Sequence, residues 1–465
     1  AVDLGGSEQQ TIKGGIQLSN LVVSDPSGSI PPKPLELKLA IDTTLATNFV
    51  ELRQLLLSLT PTERARNELL LAGRIDSSNP DAITGNLKLS SDGLDLTAYY
   101  DLVGANTNNA TGSAASEGSG EGTTSEPQTD SSAVTTLPFR NFKAEAQIAK
   151  FYLREIAASN LVAAIHLDGG RVQLKPFEMT LNGAPMTADA DIDLSVPGYK
   201  YALAFKLDQV PFAPLVNTFA PERKGELGGT LFADGQIKGV GTDGASLQKT
   251  LDGHFQFGTT NLNLSASNIR SPILKLIVST IAMVPQLAQN PSAGLGSLIG
   301  GVTGSLTRGM VGGLSGDMTN SPIDVIAMRG VAGNGAVEIQ EATVRSTVFR
   351  ADVKGTVTLA PVLTNSSINF PVSVALVRPV AERIRMVPAN TPTNATYVAL
   401  PDFFSMGGTV GNPTPKYDAK ALAGSVLQQV GGLIPGASAT NSPVGNVIQG
   451  LGTLLGGNRS AAQTN

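Results

Sequence analysis

Cysteine and tryptophan are both absent from this chain, and it has only two histidines. Without cysteine there are no disulfides, no thiolate metal sites and no cysteine nucleophile, although no compartment is excluded. Aromatic residues make up 5% of the sequence, too few for the stacking platforms that bind sugars or bases. There is no basic excess: 33 Lys and Arg against 38 Asp and Glu give a net charge of −5, so nothing provides a positive field for nucleic acid. Nor does any apolar run approach the ~20 residues of a membrane-spanning helix.

Alternation is what the sequence has in abundance. From Leu161 onward apolar residues recur at every second position: Leu161, Ala163, Ile165 and Leu167, then Val172 and Leu174, then Phe177, Met179 and Leu181. Ala188, Ala190, Ile192 and Leu194 follow, and then Tyr199, Tyr201, Leu203, Phe205 and Leu207. Asp189, Asp191, Asp193, Lys200 and Lys206 occupy the opposite parity. A period of two is what a strand with one dry and one wet face requires. Asp168-Gly169-Gly170, Asn182-Gly183 and Pro197-Gly198 punctuate the runs as tight turns. The expectation is a meander of antiparallel strands over Leu161–Leu264.

The rest of the 465 residues divides by composition. Residues 1–103 read as a β region with one helix, placed at Phe49–Leu59 by apolar residues at Phe49, Leu52, Leu55, Leu56 and Leu59. Residues 104–136 are small, polar and acidic, and are expected to be a disordered insertion. Residues 137–435 hold the main sheet and its capping helices. One of these helices opens at Ser271-Pro272, runs through ILKLIVSTIAMV and stops near Pro285; another covers Tyr417–Ile434. Residues 436–465 read as a flexible tail.

Chemistry-bearing patterns are weak. Gly239, Gly241 and Gly244 match G-x-G-x-x-G, but no crossover helix follows them, so they read as a loop between strands. The Asp189, Asp191 and Asp193 row lacks the loop geometry of a calcium site and reads as a solvated face. His166 and His254 lie in plain strands with no nucleophile motif around them. No enzymatic activity, no metal and no cofactor are expected.

The order of these motifs resembles the AsmA-like proteins of bacterial envelopes. The resemblance is carried by the strand–Asp168-Gly169-Gly170–strand unit through Asn182, and by Val210-Pro211-Phe212 ending a strand. It continues in GELGGTLFADGQIKGVGTDGASLQKTLDGHFQFG ahead of Asn261-Leu262, and in Gly408-Thr409-Val410 with Asn412-Pro413. It implies a mainly β fold, a long twisted antiparallel sheet rolled into an open groove, with a few capping helices. It also implies passive phospholipid transfer between inner and outer membranes in support of outer-membrane assembly. The setting would be the periplasm, with a membrane tether upstream of residue 1 and envelope proteins as partners at the groove ends. The expected groove lining is Ile165, Leu174, Met179, Ile192, Leu203, Phe205, Leu207, Phe255, Phe257, Leu262, Val353 and Val357. Alternation alone fits equally a closed β-scaffold that acts in envelope structure or assembly through protein contacts.

Overall fold

The computed structural model describes residues 9–25, 28–102, 134–265, 269, 271–289, 321–388, 390–418 and 421. The expected insertion before residue 134, and the expected C-terminal helix and tail beyond residue 421, lie outside these residues. The fold is mainly β with few helices, as expected. Two compact units are present: residues 1–257 with 332–335, and residues 258–331 with 336–465.

The first unit is an open sheet. Its strands are β1 (Gln9–Asp25), β2 (Gly28–Ala46), β3 (Phe49–Leu59), β4 (Glu68–Asp76), β5 (Ile83–Ser91) and the short β6 (Leu94–Asp95). They continue as β7 (Phe139–Leu153), β8 (Ile156–Asp168), β9 (Arg171–Leu181), β10 (Ala184–Asp193), β11 (Lys200–Pro211) and β12 (Thr230–Val240), followed by the start of β13 (Asp252–Thr260). Neighbours in sequence pair antiparallel from β1 to β5 and from β7 to β12. Among the described residues β1 has β2 as its one strand partner, so the sheet does not close on itself.

The turns follow the residues that favour them. Asn182 and Gly183 both have positive φ, 50° and 87°, the requirement of a two-residue hairpin. Helix α1 (Phe212–Phe219) follows Val210-Pro211, and helix α2 (Gly244–Thr250) is capped by the Asp243 carboxylate accepting from the Ser246 amide.

Two expectations need correction here. Phe49–Leu59 is not a helix but strand β3. The three-residue step from Leu52 to Leu55 that mimics helical spacing is a β-bulge: Leu52 faces Gly73 and Leu55 faces Leu71, a two-residue step on the partner. The sheet also contains parallel pairs, because β5 and β6 both run parallel to β7. A parallel pair needs a long crossover, and the chain supplies one between β6 and β7, which includes the low-complexity stretch.

A polar cluster fastens the start of that crossover. Asp95 is nearly buried and takes both the Nε and an Nη of Arg64 at 2.9 Å. The other Nη of Arg64 donates to the Arg154 carbonyl. Fully buried Asn67 accepts from the Asp95 amide and donates to the Thr60 carbonyl. Burial pushes the Asp95 carboxyl up, but hydrogen bonds from Thr97 and Arg64 outweigh it and hold its pKa below the usual value.

The second unit has a covered core. It contains β14 (Ile323–Gly333), β15 (Ala336–Ser346), β16 (Phe349–Thr358), β17 (Ser367–Val377), β18 (Tyr397–Ala399), β19 (Phe404–Gly408) and β20 (Pro413–Tyr417). Alternate residues of β16 and β17 pair across the strands and are buried: Phe349 with Leu376, Ala351 with Val374, Val353 with Val372. Helix α3 (Pro272–Gln289) opens at Ser271-Pro272, where the Ser271 hydroxyl accepts from the Leu274 amide. It buries Ile277, Ile281 and Val284 and lies against β20, with Thr280 and Tyr417 hydroxyls 3.2 Å apart and the Tyr417 ring stacked on Phe404. The helix runs past Pro285, the expected stop. Tyr417 ends a strand and does not open the expected helix. Helix α4 (Arg378–Arg383) follows β17.

The depressed Asp95 pKa has a consequence for stability. A carboxylate held below its unfolded pKa contributes stability above the unfolded value and loses it as pH falls through the folded one. Urea unfolding followed from pH 7 into the acid range below pH 4 will show that loss, and Asp95→Asn will flatten this acid limb while lowering stability at neutral pH.

Candidate functional site

The register of the first unit can be followed strand by strand. One line of paired residues runs Gly14, Ile41, Leu55, Leu71, Leu89, Ala146, Ala163, Phe177, Ala188, Phe205, Gly235, from β1 to β12. Every member is apolar or glycine. A second line on the same face runs Leu52, Gly73, Leu87, Ala144, Ile165, Leu174, Ala190, Leu203, Ile237. A third runs Leu45, Val50, Ile75, Gly85, Phe142, Leu167, Val172, Ile192, Tyr201, Gly239. None of the three contains a charged residue.

The neighbouring line on the opposite face is different: Gly15, Ala40, Leu56, Leu70, then Ser90, Gln147, Val162, Glu178, Thr187, Lys206, Asp234. From β5 onward it is mostly polar. Along β7 the contrast is direct. Phe142, Ala144, Ala146 and Ile148 are buried or half-buried, while Lys143, Glu145, Gln147 and Ala149 are exposed. Yet the apolar face is not a sealed core, since Ile165 is 40% and Leu203 38% exposed.

Glycines on this face lie beneath aromatic rings. A Cβ on Gly235 would come within 2.9 Å of the Phe205 ring, and one on Gly239 within 2.6 Å of the Tyr201 hydroxyl. One on Gly85 would meet the Phe142 ring at 2.9 Å. Each ring belongs to the residue paired with that glycine, so it lies over the adjacent strand instead of standing up from the sheet. The apolar floor is therefore low and smooth where its largest side chains occur.

The expected lining residues are placed as follows. Ile165, Leu174 and Leu203 share the second line, Ile192 lies in the third and Phe205 in the first. Met179 and Leu207 join through Met186, with Met179 opposite Met186 and Met186 opposite Leu207. Phe255 is half-buried and Phe257 exposed on β13. Leu262, Val353 and Val357 belong to the second unit, where Leu262 and Val353 are buried and Val357 is half-buried. Ile41, Leu55, Leu71 and Leu89 were not anticipated, although LKLAI and LKLS alternate plainly; the bulge in β3 hid their alignment with the later strands.

The other candidates have local explanations. Asp191 takes Arg171 and Gln173, Asp189 is paired with Lys175, and Asp193 accepts from Ser195. The hydrogen bond from Arg171 holds the Asp191 carboxyl below its usual pKa. His166 lies 3.2 Å from the Asn141 side-chain oxygen and borders a cavity of about 280 Å³ with Lys143, Glu145 and Gln173, on the polar face. A larger cavity of about 670 Å³ also adjoins that face, lined by Leu56, Leu70, Ser90, Gln147 and Val162 among others. Gly241, at φ 79°, turns the chain between β12 and α2 with its Cβ position filled by Ser246.

If the rings lie flat because their partners are glycines, a side chain there must lift them. Gly235→Val is expected to destabilise the chain by about 1–3 kcal/mol, since the added methyls overpack Phe205 and the His254 carbonyl. Chemical denaturation will measure this, and Gly14→Ala, where nothing lies within 4 Å, is the matched control with little change.

The model of the AsmA family matches residues 34–367, from β2 into the first residue of β17. No curated protein and no solved structure matches the chain.

Proposed function

The chain belongs to the AsmA family, an envelope-associated family, and from that premise we propose that the uncharged face of its first unit binds phospholipid acyl chains and passes them between the inner and outer membranes. The single observation that carries this reading is the unbroken register of apolar residues from β2 to β12, left partly open to solvent. Monomeric proteins seldom leave a contiguous apolar surface of this extent without a ligand or partner for it.

The mechanism is passive. Each methylene withdrawn from water onto the face gains about 0.8 kcal/mol, so a whole acyl chain is held firmly. The residues along each line differ little in chemistry, so a chain displaced by one strand spacing exchanges one apolar contact for another. Nothing charged lies in the three lines to arrest a tail or attract a headgroup, and the headgroup stays in water. Alanines and glycines alternate with Leu, Ile and Phe, which leaves room for chains to lie between the larger side chains. No residue performs bond chemistry in this account. In this reading the chain works in the periplasm between two membranes, tethered to the inner one.

An alternative reading, a scaffold of the envelope that engages protein partners through a sheet edge, draws on β1, whose outer edge has no strand partner among the described residues. Lipid extraction and mass spectrometry of the purified chain separate the two. The transfer reading expects co-purifying phospholipid that is lost in Leu203→Asp with Phe205→Asp, while circular dichroism and the melting transition show the variant folded. A folded, lipid-free parent chain would leave the scaffold as the better account.

A further inference from the structure

One border of the first unit's apolar face is closed where the rest is half-open. A fourth line of paired residues runs along it: Leu94, Phe151, Ala158, Leu181, Ala184. Leu181 alternates with Phe177 and Met179 on β9, and Ala184 with Met186 and Ala188 on β10, so this line lies on their face. Leu94, Ala158 and Ala184 are buried. So is Val210, which a bulge in β11 sets on the same face as Leu207.

The cover is helix α1. It begins where β11 ends, and its Thr218 reaches the β7–β8 hairpin. From β11 to β8 is three strand spacings of about 4.8 Å, and eight residues of helix rise about 12 Å, so α1 crosses the ends of β10 and β9 alongside the apolar lines. It lies against β8. Residues 212–217 are half-buried, and Phe219 at the end of the helix is 62% exposed.

What fastens α1 to the hairpin is polar. The Asn217 side-chain amide donates to one Glu155 carboxylate oxygen at 2.6 Å, and Lys224 pairs with the other at 2.6 Å. The Arg154 guanidinium donates to the Thr218 carbonyl at 2.9 Å, and the Glu155 amide donates to the Thr218 hydroxyl at 3.3 Å. Glu155 and Lys224 are exposed, where an ion pair holds weakly. On β8 and β10 the buried members of the line are alanines, whose single methyls offer little apolar area to hold the helix down. After the helix the chain turns at Gly225, φ 80°, where nothing lies within 4 Å of a Cβ, and Leu227 is buried again. The segment is thus fixed at Val210 and Leu227 and latched by surface contacts between them.

We propose that residues 211–226 form a releasable strap. When the Glu155 latch opens, α1 lifts from the border and uncovers the fourth apolar line, a side entrance by which acyl chains reach the face. The entrance role rests on the lipid-binding reading above; the release does not.

The absence of cysteine makes the test clean, because thiols can be placed singly. Ala184→Cys puts one beneath the strap, and its rate of maleimide labelling in the full chain reports release. Adding Glu155→Ala with Asn217→Ala removes hydrogen bonds to a charged group and is expected to raise that rate by about tenfold. The melting transition, and the slow labelling of Ala351→Cys buried in the second unit, should stay as they are. A labelling rate unmoved by loss of the latch would overturn the proposal. Glu155→Cys with Thr218→Cys joins residues that lie side by side, so that oxidation fastens the strap. With vesicles of phosphatidylcholine carrying a pyrene-labelled acyl chain, the oxidised form is expected to take up lipid about tenfold more slowly than the reduced form. Equal uptake by the two forms would overturn the entrance role. Labelling that responds to the latch, with no uptake by either form, would support the strap and count against the lipid-binding reading.

Discussion

Register is the constraint on which this structure depends. Side chains alternate across a strand, so a slip of one residue in any pairing would move that strand's whole apolar set to the other face. The first unit keeps its three apolar lines in phase across nine strands, β3–β5 and β7–β12, through antiparallel and parallel pairings alike. Where the spacing of apolar residues departs from two, a bulge absorbs the difference. The step at Leu52/Leu55 does this in β3, and shifts between β8 and β9 and between β9 and β10 do it later. Each bulge also bends and twists its strand, so correcting the register and curving the sheet come from the same device.

Glycine serves the strands in two ways. At Gly85, Gly235 and Gly239 it makes room for an aromatic ring from the next strand. At Gly73, Gly253 and Gly355 it takes φ near 145–151° with a neighbouring carbonyl 2.0–2.1 Å from where a Cβ would be, a backbone path closed to other residues. The two units then use alternation to different ends. In the second, Phe349, Ala351 and Val353 meet Leu376, Val374 and Val372 in a buried layer, with α3 among the buried elements. In the first, the equivalent layer stays half-open. That difference is what makes the first unit's face a candidate for binding.

Much of this was legible in the sequence, because strand periodicity and hairpin turns are local signals. The β8–β11 meander, its Asn-Gly turn and the polar parity of Asp189, Asp191 and Asp193 could be read residue by residue. So could the start of α3, where Ser271 and Pro272 act within one turn. What could not be read was pairing at a distance. The parallel alignment of β5 with β7 spans the crossover and leaves no local trace, and without it Leu71 and Leu89 cannot be joined to Ala146 and Ala163. The bulge in β3 imitated a helix because three-residue spacing has two physical origins. Val353 and Leu262 alternate as well as Leu203 does; only the packing around them separates a buried residue from an open one.

The central claim is that lipid tails lie on one face of the first unit and not on the other. Photocrosslinking tests it most directly, with a benzophenone side chain placed at Ile165 or, one residue away, at Ala164, in chain loaded with radiolabelled phospholipid. The account predicts labelled adduct from position 165 and little from position 164, and the same contrast between Leu203 and Ala202. Equal labelling of both positions, or adduct from the polar face alone, would contradict it.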